Sequence, residues 1–189
     1  MTGRDQYKPG SANAAKVEKD GENWTLVLVR DFRHPPEKVW KAITDPAHLR
    51  EWAPFDASGN LGSAGSAVTL TAVGAPKPQI TETTIKRAEA PKILEYEWGG
   101  NDIRWELQPT ALGTRLTLWH NIDRRFISMG AAGWQICLDV LERSIDGDPI
   151  GRIVGAEAMK FDWQRLNAEY AEQFGVELPS WPPQAAEKS

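Results

Sequence analysis

The 189-residue chain has a single cysteine, Cys137, and only three histidines, His34, His48 and His120. One thiol excludes an intrachain disulfide and any cluster built on several thiolates. The histidines are dispersed, two flanking one short helical segment and one on a strand, which is not the spacing of a structural zinc site. No metal and no cofactor are therefore expected. Positive charge is not in excess: 22 Lys and Arg stand against 26 Asp and Glu, a net charge of -4. Nothing electrostatic recommends a nucleic acid or an anionic membrane surface. The N-terminal stretch MTGRDQYKPGSANAAKVEKDGE has no apolar core of the signal-peptide kind, and no run approaches the ~20 apolar residues that cross a bilayer. A phosphate-binding glycine loop, a dinucleotide fingerprint, HExxH and GxSxG are all missing. These absences point to a soluble, cytoplasmic protein without membrane insertion.

Tryptophan is what the chain has in abundance, nine against three tyrosines, within a hydrophobic content of 41%. Each indole buries a large apolar area and brings one N–H that wants a partner. Either the core is aromatic-heavy or some rings line a cavity. Residues 1–21 are polar and aperiodic and are expected to be a flexible leader. WTLVLVRDF (24–32) alternates as a strand. Pro35 and Pro36 then open a helix that runs to about Thr44 and buries Val39, Trp40 and Ile43. Asp45-Pro46 ends it and starts a second short helix, PAHLREW (46–52), with Thr44 or Asp45 as its N-cap. Five further strands follow over 66–73, 79–89, 93–99, 101–109 and 114–122, joined by short turns that predict an antiparallel meander.

From Ile127 to Ile145 the apolar period becomes helical, through Ala131, Trp134, Leu138 and Leu141, and Gly147 with Asp148-Pro149 stops the helix. A last helix over about 156–174 carries Met159, Trp163, Leu166, Tyr170 and Phe174 on one stripe. Residues 179–189 read as a tail, and no internal repeat is present.

The segments RDFRHPPEKVWKAITDPAHLREW, LEYEWGG…IRWELQPTALGTRLTLWH and GWQICLDVLE, in that order, resemble the SRPBCC (START-like) superfamily. Within it they are most similar to the branch related to the activators of heat-shock-protein-90 ATPase. The resemblance spans about residues 24–146. It implies an α+β helix-grip (START/Bet v-like) fold: a curved antiparallel sheet of six strands wrapped around the long C-terminal helix. Two short helices follow the first strand, and a cavity or groove lies between sheet and helix. The domain is placed at 22–147, and 148–178 is an added helix that packs on the domain or on a partner. Family members differ widely in activity, so the shape does not carry a reaction with it.

Candidate functional residues follow from the alternation of the strands. His120 shares a face with Leu116 and Leu118 and is either a hydrogen-bond hook, a weak candidate acid or base, or an ordinary strand-end histidine. Trp98, Trp105 and Trp134 point inward and form either an aromatic pocket or a filled core. Cys137, in mid-helix without a cationic neighbour, reads as an inert thiol shaping the cavity floor with Leu138 and Leu141. Trp52 and Phe55 are placed at the cavity mouth as a gate or as the plug of the helix corner. Trp119 faces outward and is expected to pack on the last helix. Glu95, Glu97, Arg104 and Glu106 read as charge pairs on the solvated face, and Arg124-Arg125 as a solvated basic turn.

The function expected is non-catalytic binding of a small apolar or aromatic molecule, with residues 34–52 as a lid-bearing corner. One alternative is a cyclase- or dehydratase-like enzyme using His120 as acid and base. The other is a chaperone-related interaction module, with a protein partner or a homodimer through residues 156–174.

Overall fold

The computed structural model describes residues 2–12 and 15–178; the expected tail lies outside them. Among the described residues nine strands and four α-helices follow in chain order. They are β1 (Ala15–Asp20), β2 (Asn23–Phe32), α1 (Pro36–Thr44), α2 (Pro46–Trp52), β3 (Phe55–Ala57), β4 (Ala67–Ala72), β5 (Ile80–Thr84) and β6 (Arg87–Glu89). After these come β7 (Ile93–Trp98), β8 (Asn101–Thr110), β9 (Gly113–Asn121), α3 (Ile127–Ile145) and α4 (Trp163–Phe174). A 3-10 segment, Gly155–Lys160, precedes α4.

Six strands form the main antiparallel sheet in the order β1-β2-β9-β8-β7-β6, and β3-β4-β5 form a small second sheet. This is the α+β helix-grip fold, with a different strand count from the one expected. The segment 79–89 is not one strand, because the chain changes sheets near Ile85. There Gly65 N–H donates to Ile85 O and Ile85 N–H to Ser66 O, while Lys86 N–H already donates to Glu95 O on β7. The Thr81 and Thr83 hydroxyls keep the small sheet against β7 by accepting from Gly99 and Glu97 N–H at 3.0 and 3.2 Å.

The expected leader is also corrected, since residues 15–20 are the edge strand β1, paired with β2 from Ala15↔Leu28 to Asp20↔Asn23. Ahead of it, residues 2–12 lie against the helices. The Tyr7 hydroxyl donates to Asp139 Oδ2 at 2.5 Å, and Arg165 Nη2 to Pro9 O at 2.8 Å. Arg4 Nη1 donates to the carbonyls of Gly151 and Arg152 at 2.9 and 3.0 Å.

The helix corner forms as its sequence predicts. Pro36 occupies the first helical position of α1, where a missing N–H leaves nothing unsatisfied. Asp45 caps α2 by accepting from Ala47 N–H at 3.0 Å. In α3, which spans the residues expected, one side packs on the sheet and the other receives α4. Ser128 donates to Asn167 Oδ1 at 2.7 Å, and the Tyr170 hydroxyl donates to Gln135 Oε1. The apolar stripe of α4, with Leu166, Tyr170 and Phe174, is thereby buried in its own chain. The helix also starts later than expected: residues 155–160 take the 3-10 form, and Asp162, in the left-handed region at φ 58°, separates it from α4.

Candidate ligand-binding site

The register of the main sheet sets one end of the site. Leu26, His120, Ile103 and Tyr96 form one row across β2, β9, β8 and β7, and Leu28, Leu118, Trp105 and Leu94 the next. Side chains alternate along each strand, so Trp98 lies on the same face as Tyr96, two residues beyond it, and its ring reaches across to His120. Trp134, on α3, comes down onto this corner.

Three aromatic rings meet there. His120 stacks on Trp98 with centroids 5.8 Å apart and planes at 27°, and Trp134 stands edge-on to both at 5.9 and 6.0 Å. Trp134 Nε1–H donates to His120 Nδ1 at 3.0 Å. Beside them is a cavity of about 220 Å³. Its walls include Trp98, His120, Ile122, Trp134 and Cys137 with two glycines of α3. Gly133 leaves open space where a side chain would stand, and Gly130 makes room for the Ile122 side chain, which would lie 2.5 Å from a Cβ there. Its roof comes from Ile153, Val154, Ala158 and Met159 in the segment before α4, with Trp163 at the start of that helix.

The roof is seated by a backbone contact that only glycine permits. Gly155 has φ +58°, and a Cβ there would lie 2.2 Å from the carbonyl oxygen of Gly74. The chain can cross the loop after β4 at this height because neither residue carries a side chain.

His120 is 5% exposed, and Nε2 has no hydrogen-bond partner among the described residues. Burial disfavours the charged imidazolium and pushes the ring from its ordinary 6.5 down to about 4. Burial also pushes the Cys137 thiol up to about 12, so at neutral pH it is a neutral, small apolar wall. Among the described residues the lining contains no carboxylate and no Lys or Arg.

Of the expected site residues, Trp98, His120, Trp134 and Cys137 converge on the cavity. Trp52, Phe55, Trp105, Leu138 and Leu141 do not line it; all five are fully buried in the packed core. Trp52 Nε1–H donates to Ala42 O at 2.9 Å, and its ring stands edge-on to Trp105 at 6.0 Å. Phe55 is held between Tyr96 and Trp98, and Trp105 Nε1–H closes on the Tyr96 hydroxyl at 3.1 Å. Residues 34–52 therefore plug the filled part of the interior, and the cavity's cover is the 153–163 segment instead.

On the outer face, Trp119 lies under the Arg104 guanidinium at 5.5 Å, not under α4, which packs on α3 at the opposite face of the sheet. Arg104 also pairs with Glu95 at 3.2 Å and with Glu106. Arg125 pairs with Asp123 at 3.0 Å on an exposed turn. The residues that sequence reasoning missed are the roof and the two glycines. Only the glycines left a readable trace, as two small residues one turn apart in α3.

No group of three or more candidate metal ligands occurs among the described residues, and no helix among them is long and apolar enough to cross a membrane.

Known structures share this architecture. A conserved protein of unknown function from Enterococcus faecalis, EF2215, superposes with a TM-score of 0.66 at 18% identity, over 84% of this chain and 89% of that one. CalU16 from Micromonospora echinospora gives 0.60 at 24% identity, over 86% and 92%. DynU16, from the dynemicin biosynthetic locus, gives 0.60 at 20% identity, over 69% of this chain and 50% of that one. At these identities the likeness is one of fold. No curated protein matches the chain. The sequence model described as polyketide cyclase / dehydrase and lipid transport matches residues 23–168, from β2 into α4 and so beyond the residue 146 at which the sequence resemblance ended; the chain belongs to that family.

Proposed function

We propose that the protein binds one small apolar or aromatic molecule in the cavity beneath residues 153–163 and holds it without transforming it. The observation that carries this reading is the apolar cavity of about 220 Å³ lined by the ring of His120, whose buried Nε2 has no partner among the described residues. An apolar guest would be driven in by about 25 cal/mol per Å² removed from water, offset by the losses of association. The family description, which joins cyclases, dehydrases and lipid transport, is consistent with an apolar guest. The single cysteine suits a cytoplasmic setting.

The cyclase- or dehydratase-like alternative draws its support from the same family description. It asks His120 to accept a proton, yet Nδ1 is engaged by Trp134 and the ring's own proton occupies Nε2. A second titratable group in reach is also required, and the lining offers only the Cys137 thiol, pushed up to about 12. The chaperone-activator reading rests on the resemblance of three segments, the front corner first among them, with the last helix as the contact surface. That corner is packed into the core, and the apolar stripe of α4 is covered within the chain.

Native mass spectrometry of freshly purified protein tests the proposal. The expected result is a mass increment of one small molecule that solvent extraction removes and that 2-acetylnaphthalene replaces. Neither a co-purifying molecule nor binding of that probe, followed by tryptophan fluorescence, would overturn it.

A further inference from the structure

We infer that the guest is a neutral molecule presenting one hydrogen-bond acceptor, such as an aryl ketone or quinone carbonyl, to Nε2–H of His120, with Trp134 as the positioning residue that makes this nitrogen a donor. The inference rests on the ligand-binding reading and sharpens it.

The tautomer follows from the partner. An indole N–H only donates, so the Nδ1 that faces Trp134 Nε1 at 3.0 Å must hold a lone pair, and the proton is on Nε2. Nε2–H is then a buried donor without a partner among the described residues, on a ring that lines the cavity. Leaving a buried N–H unmet is unfavourable, and an acceptor on the guest removes that penalty. No other side-chain nitrogen or oxygen of the lining is buried and unmatched among the described residues. Stacking on Trp98 and the bond from Trp134 hold the ring in one orientation before the guest arrives.

The same surroundings exclude charge. A carboxylate would be buried with no Lys or Arg in the lining, and an ammonium with no Asp or Glu. His120 does not supply the missing cation at neutral pH, because burial holds the ring uncharged. Size sets the scale: about 150 Å³ of dry cavity accommodates benzene, so about 220 Å³ has room for a larger flat guest.

The experiment uses four probes of similar shape: 2-acetylnaphthalene, 2-isopropenylnaphthalene (C=CH2 in place of C=O), 2-naphthoate and 2-naphthylmethylammonium. Affinities are read at pH 7.5 by tryptophan quenching and calorimetry. The ketone is expected to bind at least as tightly as its hydrocarbon twin although water solvates it better, and both charged probes at least about a hundredfold more weakly. In His120→Phe the ketone-to-hydrocarbon affinity ratio is expected to fall about tenfold. In Trp134→Phe it falls about threefold as the tautomer lock is lost, and 2-naphthol gains because its hydroxyl donates to the freed Nδ1.

An unchanged ratio in a folded His120→Phe protein, or tight binding of the naphthoate, overturns the inference while leaving the pocket. Binding of none of the four overturns the pocket as well. Should His120→Phe not fold, 15N spectra of the histidines in the unaltered protein decide. The Nε2 resonance must carry the proton and shift with the ketone but not with the hydrocarbon; a protonated Nδ1 refutes the proposal.

Discussion

The interface between the main sheet and α3 is filled around Trp105 and hollow around His120, although both regions are built largely from tryptophan. Around Trp105 the helix contributes Trp134, edge-on at 5.5 Å, and the indole N–H groups on this side close inside the protein, Trp52 on Ala42 O and Trp105 on the Tyr96 hydroxyl. Around His120 the other side of the same Trp134 faces open space beside Gly133, and the last polar atom in the chain of donors, His120 Nε2, has no partner among the described residues. Tryptophan content alone thus does not make a cavity. The absent side chain at Gly133 on the facing helix does, and the unmet donor marks where the chemistry of packing stops.

The contrast is broken most severely by truncating the filled side. Trp105→Ala removes an indole that is 1% exposed and leaves the Tyr96 hydroxyl without its donor. The expected loss is about 3–5 kcal/mol in chemical denaturation. Trp98→Ala, at a half-buried ring already bordering empty space, is expected to cost less than half as much. Equal losses at the two positions would erase the distinction between filled and hollow.

Acid offers the next largest effect, and only the hollow side supplies it. His120 titrates near 6.5 in the unfolded chain and at about 4 when folded. Between those values the unfolded state binds more protons, so stability rises with pH through this window and is complete above it. On acidification from 6.5 to 4 the loss attributable to this ring approaches about 3 kcal/mol. A protonated Nδ1 would also face the Trp134 N–H, donor against donor. Denaturation curves for the unaltered protein and for His120→Phe should converge as pH falls through 6.5 toward 4. Parallel curves would show that the ring does not titrate as its burial requires.

Much of this architecture was legible in the residues. The period of 127–145 gave α3 its two ends, and Asp45-Pro46 gave the corner its cap. Strand alternation with helical spacing brought Trp98, His120, Trp134 and Cys137 together, because each periodicity fixes a face without reference to the rest of the chain. What escaped depends on distant partners. The strand β1 reads as polar leader, since an edge strand is held by backbone bonds to β2 and needs no apolar pattern. The change of sheets at Ile85 rests on hydrogen bonds to residues some twenty positions earlier. The roof is positioned by the contact of Gly155 with Gly74 and by Arg4 on the carbonyls of 151 and 152, pairings that no local window contains. Trp52 and Phe55 were given a gate's place because sequence shows that they adjoin the corner but not which side of it is full.

Gly133 gives the smallest effect on stability and the sharpest separation of the two regions. It lies inside α3 with an ordinary helical backbone, and a Cβ built on it meets nothing within 4 Å. Glycine in a helix interior is unfavourable by roughly 0.5–1 kcal/mol against alanine, so Gly133→Ala is expected to raise stability by about that much. Gly133→Leu extends further into the same space and is expected to keep the fold while lowering affinity for 2-acetylnaphthalene at least about tenfold, since guest and side chain compete for one volume. Stability and binding then move in opposite directions at a single position, which no general loosening of the protein can imitate. A leucine variant that folds and binds the probe as before would put the guest outside this cavity, and with it the role assigned to His120.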